Sequence, residues 1–147
     1  MTPNIRRGKP TDLAAVSQLL QVAGLPTTDL ASAHEFQIWI VESGASILGV
    51  IGLERFGREA LLRSLAVAPE QRKRGLGHQL VARLEQDAWG DGIQQLILLT
   101  ETADAFFRSL GYVVTNRSYV SKEVKQSAEF QSLCPVSAVC MSKAITR

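Results

Sequence analysis

The stretch Leu65-Ala66-Val67-Ala68-Pro69-Glu70-Gln71-Arg72-Lys73-Arg74-Gly75-Leu76-Gly77-His78 decides the fold. Its first three residues end a β-rich run, Pro69 stops that run, and a basic turn follows. From Gly75 onward Leu76, Leu80, Leu84 and Ala88 fall at helical spacing. A strand, a basic turn and a helix that begins inside the turn make a place for an anion. Amide hydrogens in the first turn of a helix have no internal partner and carry partial positive charge. Gly75 and Gly77 remove side chains that would hold a phosphate away. A Walker loop needs Gly-Lys-Ser/Thr after its glycines, where this chain reads Gly75-Leu76-Gly77-His78, which disfavours ATP or GTP. A dinucleotide fingerprint needs a third glycine where Leu80 stands, and the strands before the loop do not form a Rossmann unit.

Working outward, residues 36–41, 46–55 and 60–67 are β-rich runs separated by short turns at 42–45 and 56–59, which predicts an antiparallel meander. Before it, a strand over residues 5–7 precedes a helix carrying Leu13, Val16, Leu19, Leu20 and Ala23, capped by Thr11 and stopped by Gly24 and Pro26. Residues 25–29 read as loop. After the central helix, Gly90 and Gly92 break the pattern, and residues 93–99 read as a strand. A helix over 102–110 ends at Gly111, a strand spans 112–117, and a last strand spans 137–143. That order requires a mixed sheet with helices on its faces, an α/β (α+β) fold in one domain over residues 1–147. The last strand, if it lies at an edge, can pair with a second copy, so a monomer and a homodimer both stay open.

At 147 residues and 46 % hydrophobic composition, the chain can bury one core without metal or disulfide support. Its 16 basic and 14 acidic residues are spread along the sequence, and a net charge of +2 gives no broad field for nucleic acid or an anionic membrane. No run approaches the roughly 20 apolar residues of a membrane span. Met1-Thr2-Pro3-Asn4 does not begin a signal peptide, so a cytoplasmic location is expected. The two cysteines, Cys134 and Cys140, match neither a CxxC pair nor a zinc site. No metal site is expected. The thiols read as packed small hydrophobes, although a thiophilic metalloid is the alternative ligand. Trp39 and Trp89 read as packing residues, and His34 and His78 as surface or packing residues, with His78 close enough to the basic loop to touch a bound anion.

The pattern Arg72-x-x-Gly75-x-Gly77 after Leu65-Ala66-Val67 resembles the acetyl-CoA motif of the GNAT superfamily of acetyltransferases. Thr102-Ala103-Asp104-Ala105-Phe106-Phe107-Arg108-Ser109-Leu110-Gly111-Tyr112 resembles that superfamily's second motif. The resemblance covers nearly the whole chain. It implies a mostly antiparallel sheet splayed between the fourth and fifth strands, with acetyl-CoA as cosubstrate and a small-molecule amine as acceptor. It also implies that the backbone of Leu65, Ala66 and Val67 lies along the pantetheine arm and lends an amide to the reacting carbonyl. Amides of Arg72, Lys73, Arg74, Gly75, Leu76, Gly77 and His78 would hold the pyrophosphate, and Thr100, Ala103 and Phe106 would touch the cosubstrate from the second motif. A narrower resemblance, in residues 23–30, 62–67, 98–103 and 133–138, is to the GNAT branch associated with arsenic-resistance operons.

Many relatives carry a tyrosine, as donor to the departing thiolate, where this chain has Phe107, and phenylalanine donates no proton. Tyr112 is nearby in sequence but reads as the packed aromatic after Gly111. Glu54, near a strand end beside the reaction cleft, is the candidate base through water, against the alternative of a solvated glutamate. Arg63 interrupts the apolar run Leu61-Leu62-Arg63-Ser64-Leu65 and is expected to bind either a substrate carboxylate or a structural carboxylate partner. Thr27 and Thr28, in the loop that closes over the acceptor in this superfamily, and Arg117 are candidate substrate contacts. Their plainer readings are a capped loop and a solvated cation. A non-catalytic acyl-CoA-binding regulatory module is the competing function.

Overall fold

Alternation along the strands determines which helix covers which face of the sheet. The computed structural model describes residues 4–30, 36–72, 75–133 and 137–145. In chain order it contains β1 (Asn4–Arg7), α1 (Leu13–Val22), β2 (Phe36–Ser43), β3 (Ser46–Phe56), β4 (Glu59–Val67) and α2 (Leu76–Gly90). These are followed by β5 (Gln95–Thr100), α3 (Asp104–Ser109), β6 (Val113–Val114), α4 (Lys122–Lys125) and β7 (Val139–Ala144). The sheet runs β1-β2-β3-β4-β5-β7-β6. Every pairing is antiparallel except β4 with β5.

Trp39 and Val41 on β2, Leu62 on β4 and Leu96 and Leu98 on β5 pack with Leu76, Leu80, Leu84 and Ala88 of α2. Their neighbours point the other way. Ile38 and Ile40 meet Val16 and Leu20 of α1, while Leu61 and Ile97 meet Val120, Val124 and Phe130. A period of two in each strand therefore fills both faces, and the helical stripes of α1 and α2 cover them. No helix among the described residues is long and apolar enough to cross a membrane.

The meander, both long helices and the splayed mixed sheet agree with the sequence reading, and four details differ. Asp12, not Thr11, stands at the start of α1, where its carboxylate accepts from the Lys9 amide at 2.7 Å and binds Arg6. The strand expected over 112–117 is only Val113–Val114, because Arg117 starts a 3₁₀ turn over Arg117–Tyr119. The last strand is no edge: β7 is paired on one side with β5 and on the other with β6. At Met141 and Ser142 it is therefore not the open edge through which pairing with a second copy was considered. Finally, the sequence reading found no element between residues 118 and 136, where the chain forms α4 and a π-helical turn over Glu129–Leu133. Trp39 is fully buried as expected, whereas Trp89 keeps 40 % of its surface exposed. Cys140 is a buried free thiol whose pKa burial raises, and Cys134 and His34 lie outside the described residues.

Candidate active site

A cleft opens where β4 and β5 part. Their parallel register stops at Leu61–Ile97, so the later residues of β4 run on without a β5 partner. Between Val50–Ala66 and Gly52–Arg63 the β3–β4 register slips, and Ser64 and Leu65 together face Ile51. This is a β-bulge, and Ser64 adopts a left-handed φ of 61° within it. The bulge reverses the parity of the strand. Leu62 packs toward α2, but so does Leu65, while Ala66 turns toward α1. Without the extra residue, Leu65 would share a face with Arg63.

The cleft holds about 840 Å³ and is lined by Ser64, Leu65, Ala66 and Val67 on β4 and by Leu98, Leu99 and Thr100 on β5. Ala23, Gly24, Leu25, Pro26 and Thr28, which follow α1, also line it, as do Arg72 after β4 and Glu101, Thr102, Ala103 and Phe107 after β5. Arg63, Glu129 and Ala138 complete the lining. Beyond Val67 lies the start of α2. Gln79 makes the first helical bond, to the Gly75 carbonyl at 3.1 Å, so the amides of Leu76, Gly77 and His78 precede the helical ladder. Gly75 has φ 78°, which only glycine adopts without strain. A Cβ at Gly77 would stand 3.2 Å from the Phe106 ring, which lies edge-on to His78 with centroids 5.0 Å apart. These features fit a pyrophosphate at the helix start and an extended thiol arm along the free edge of β4.

Of the residues named from sequence, Thr28, Arg63, Leu65, Ala66, Val67, Arg72, Thr100 and Ala103 line the cleft. The Thr100 hydroxyl accepts from the Ala103 amide at 3.0 Å and so fixes the turn into α3. Gly75, Gly77, His78 and Phe106 meet at the α2 start, while the Leu76 side chain belongs to the core. Lys73 and Arg74 lie outside the described residues. Thr27 is off the cleft, its carbonyl accepting from Leu30 at 3.3 Å. Arg117 is also off the cleft, donating to the Ala138 carbonyl at 2.8 Å and lying 5.8 Å over the Phe130 ring.

At the base of the cleft, the fully buried Arg63 side chain gathers three carboxylates. It donates to Asp29 at 2.6 and 2.8 Å and to Glu54 at 2.7 Å, and its Nε lies 3.3 Å from Glu129 and bonds Ser64 Oγ at 3.2 Å. Burial opposes the guanidinium charge, but the Asp29 hydrogen bond, the field of Glu129 and the Glu54 hydrogen bond outweigh it and raise its pKa. Of the two readings of Arg63, the geometry matches the structural partner, since a substrate carboxylate would have to displace one already present. Glu54 is 2 % exposed, bound to Arg63 and not part of the lining. Glu129 lines the cleft while 4 % exposed, and burial pushes its carboxyl up to about 7 despite the lowering field of Arg63, with Glu54 and Asp29 adding to the rise.

Sequence reasoning missed Asp29, Glu129 and Glu101. The signal for the first two was Arg63 itself, because a guanidinium in a central strand demands carboxylates from elsewhere in the chain. Tyr112 is committed elsewhere: its hydroxyl donates to Glu85 at 2.8 Å, and burial followed by the charge of Glu85 holds it protonated. Phe107 packs between Phe106 and Tyr112, so the position of the usual donor is apolar. Among the described residues, no three His, Cys, Asp or Glu side chains are placed to hold a metal ion.

Residues 34–114, more than half of the chain, match the model of the acetyltransferase (GNAT) domain. The chain belongs to the GNAT family. Over 110 residues it is 29 % identical to N-acetyltransferase family 8 member 3 of Rattus norvegicus, a match that covers 67 % of this chain and 47 % of that protein. N-acetylglutamate synthase from Neisseria gonorrhoeae, solved with coenzyme A and N-acetyl-glutamate, superposes with TM-score 0.83 at 19 % identity, covering 100 % of this chain and 36 % of the synthase. The ribosomal-protein-S18-alanine N-acetyltransferase of Escherichia coli superposes with TM-score 0.77 at 20 % identity, covering 99 % and 96 % of the two chains. This GNAT chain thus spans about half of the rat relative and about a third of the synthase.

Proposed function

We propose that this GNAT chain is an acetyl-CoA-dependent N-acetyltransferase that moves the acetyl group directly onto the amine of a small molecule. The observation that carries the reading is the parting of β4 from β5, together with a first turn of α2 whose amides precede the helical ladder. Acetyl-CoA enters with its pyrophosphate at Leu76, Gly77 and His78 and its thioester beside the Ser64–Leu65 bulge. The amine approaches from the side of Gly24, Leu25, Pro26 and Thr28. Holding both reactants in one cleft supplies the orientation on which such transfers depend, and an amide from the Leu65–Val67 segment is the proposed donor to the carbonyl oxygen.

In this reading residues 1–147 act as one acyltransferase unit, monomer or homodimer, in the cytoplasm. Its partner is a small amine rather than nucleic acid or membrane. The narrower proposal, a part in resistance to arsenic or other toxic compounds, is supported by the resemblance of residues 23–30, 62–67, 98–103 and 133–138 to the arsenic-operon branch. The apolar Phe107 favours one competitor, a regulatory module that binds acyl-CoA without turnover. Free-thiol release from acetyl-CoA, measured with alkyl diamines, amino acids, amino-acid amides and amine-bearing arsenicals, separates the two. The enzyme reading predicts amine-dependent thiol release. Tight acetyl-CoA binding with no release for any amine supports the module.

A further inference from the structure

We propose that Glu129 is a catalytic residue of this site, the group that receives the ammonium end of the acceptor and takes its proton before acetyl transfer. The assignment rests on the acetyltransferase reading above and adds to it the base and the charge of the acceptor at the reacting end.

Among the carboxylates bound to Arg63, Glu129 is the one that lines the cleft. It comes from the π-helical turn between α4 and β7, and Ser64 and Leu65 of the bulge line the same cleft. Asp29 and Glu54 take the short hydrogen bonds of Arg63, at 2.6 to 2.8 Å, and Glu129 has the longer 3.3 Å contact. The cation thus orients the Glu129 carboxylate without binding it as tightly as the other two. The charged groups around Glu129 are Arg63 on β4, Glu54 on β3 and Asp29 after α1. Arg117 lies over the adjoining Phe130 ring, and Glu101 lines the cleft from the turn after β5. Three carboxylates around one guanidinium favour a cationic partner over an anionic one, so the acceptor class is a primary amine that arrives protonated. A carboxyl of about 7, raised by burial, exchanges protons readily near neutrality.

The proton balance closes. The ammonium gives one proton to ionised Glu129, its freed nitrogen pair forms the N–C bond to the acetyl carbon, and the C–S bond breaks with its electron pair on sulfur. The second nitrogen proton ends on the thiolate. Glu129 returns its proton to solvent. With Phe107 in the donor position, water carries the proton to sulfur.

The test compares the wild type with Glu129→Gln and Glu129→Asp, using thiol release from acetyl-CoA and an alkyl diamine acceptor between pH 5.5 and 9.5, with acetyl-CoA affinity measured by calorimetry. Wild-type kcat/KM for the diamine should rise with pH through about 7. Glu129→Gln should lose about 10²-fold or more in kcat, and its rise should move toward the ordinary alkylammonium range near ~10. The acetyl-CoA dissociation constant should stay within about twofold. Glu129→Asp, which keeps a carboxylate, should retain a rise below pH 8 with an intermediate rate, an outcome that a purely structural role does not produce. An active wild type whose rate and pH profile survive in Glu129→Gln overturns the assignment alone. A wild type that binds acetyl-CoA but acetylates no amine overturns the acetyltransferase reading and this assignment with it.

Discussion

Two arginines in this chain each hold carboxylates from distant segments, with opposite consequences. Arg6 on β1 binds Asp12 at 2.9 Å and Glu42 at 2.8 Å, with all three side chains partly in water. There the hydrogen bond from Arg6 is the leading influence, lowering Asp12 to about 2 and drawing Glu42 below its usual range. Arg63 binds Asp29 and Glu54 just as closely, but its side chain is fully buried. There desolvation leads, and Glu129 is pushed up to about 7. The same residue types form a tie of fixed charge at the surface and a group ready to change charge at the base of the cleft. The difference is water, since a solvated carboxylate gains from its cation while a buried one must first lose its hydration.

The largest effect should come from removing the central cations. Arg63→Met leaves three carboxylates facing one another in a buried site and should cost about 3–5 kcal/mol or abolish folding. Arg6→Met should cost a small fraction of that, because water takes over the charges. Urea denaturation of both variants checks this, and equal costs would break the contrast between buried and exposed clusters.

A smaller effect concerns the sign of the pH dependence. The folded state raises the Glu129 pKa from 4.5 to about 7 and so binds the proton more tightly than the unfolded chain does. Its contribution is full below pH 4.5 and fades as pH rises through 7, on the order of 3 kcal/mol. Glu129→Gln should flatten that decline. Asp12 behaves oppositely, its pKa falling from 3.8 to about 2. Its contribution is present above pH 3.8 and lost as pH falls through 2, and Asp12→Asn should remove less than about 1 kcal/mol. Stability measured across pH 2 to 8 for both variants sharpens the comparison, and slopes of the same sign would contradict it.

The legible part of this molecule is its local part. Alternation in residues 36–67 gave the meander, helical spacing from Leu76 to Ala88 gave α2, and Gly111, with φ 95°, ends α3 where its sequence position suggested. The bulge at Ser64 was not legible, because serine carries no preference for a left-handed φ and the slip exists only relative to β3. The partners of Arg63 were illegible for a related reason. Asp29 and Glu129 lie far from it in sequence, and only the completed sheet brings α1's loop and the π-helical turn to one strand. Residues 117–133 hide their structure because α4 is a single turn, too short to display a period. Thus the loop proposed to hold the donor lies within one sequence motif, whereas the proposed acceptor end is assembled from four segments.

The central claim, that the cleft between the parting strands β4 and β5 is the acetyl-CoA site, is tested most directly by titrating the ¹⁵N-labelled chain with acetyl-CoA and following backbone amides. The account predicts that Leu65, Val67, Leu76, Gly77 and His78 shift most and gain protection from hydrogen exchange. Shifts confined to the separate groove of Arg7, Gly8, Lys9 and Phe36, with those five amides unmoved, would contradict it.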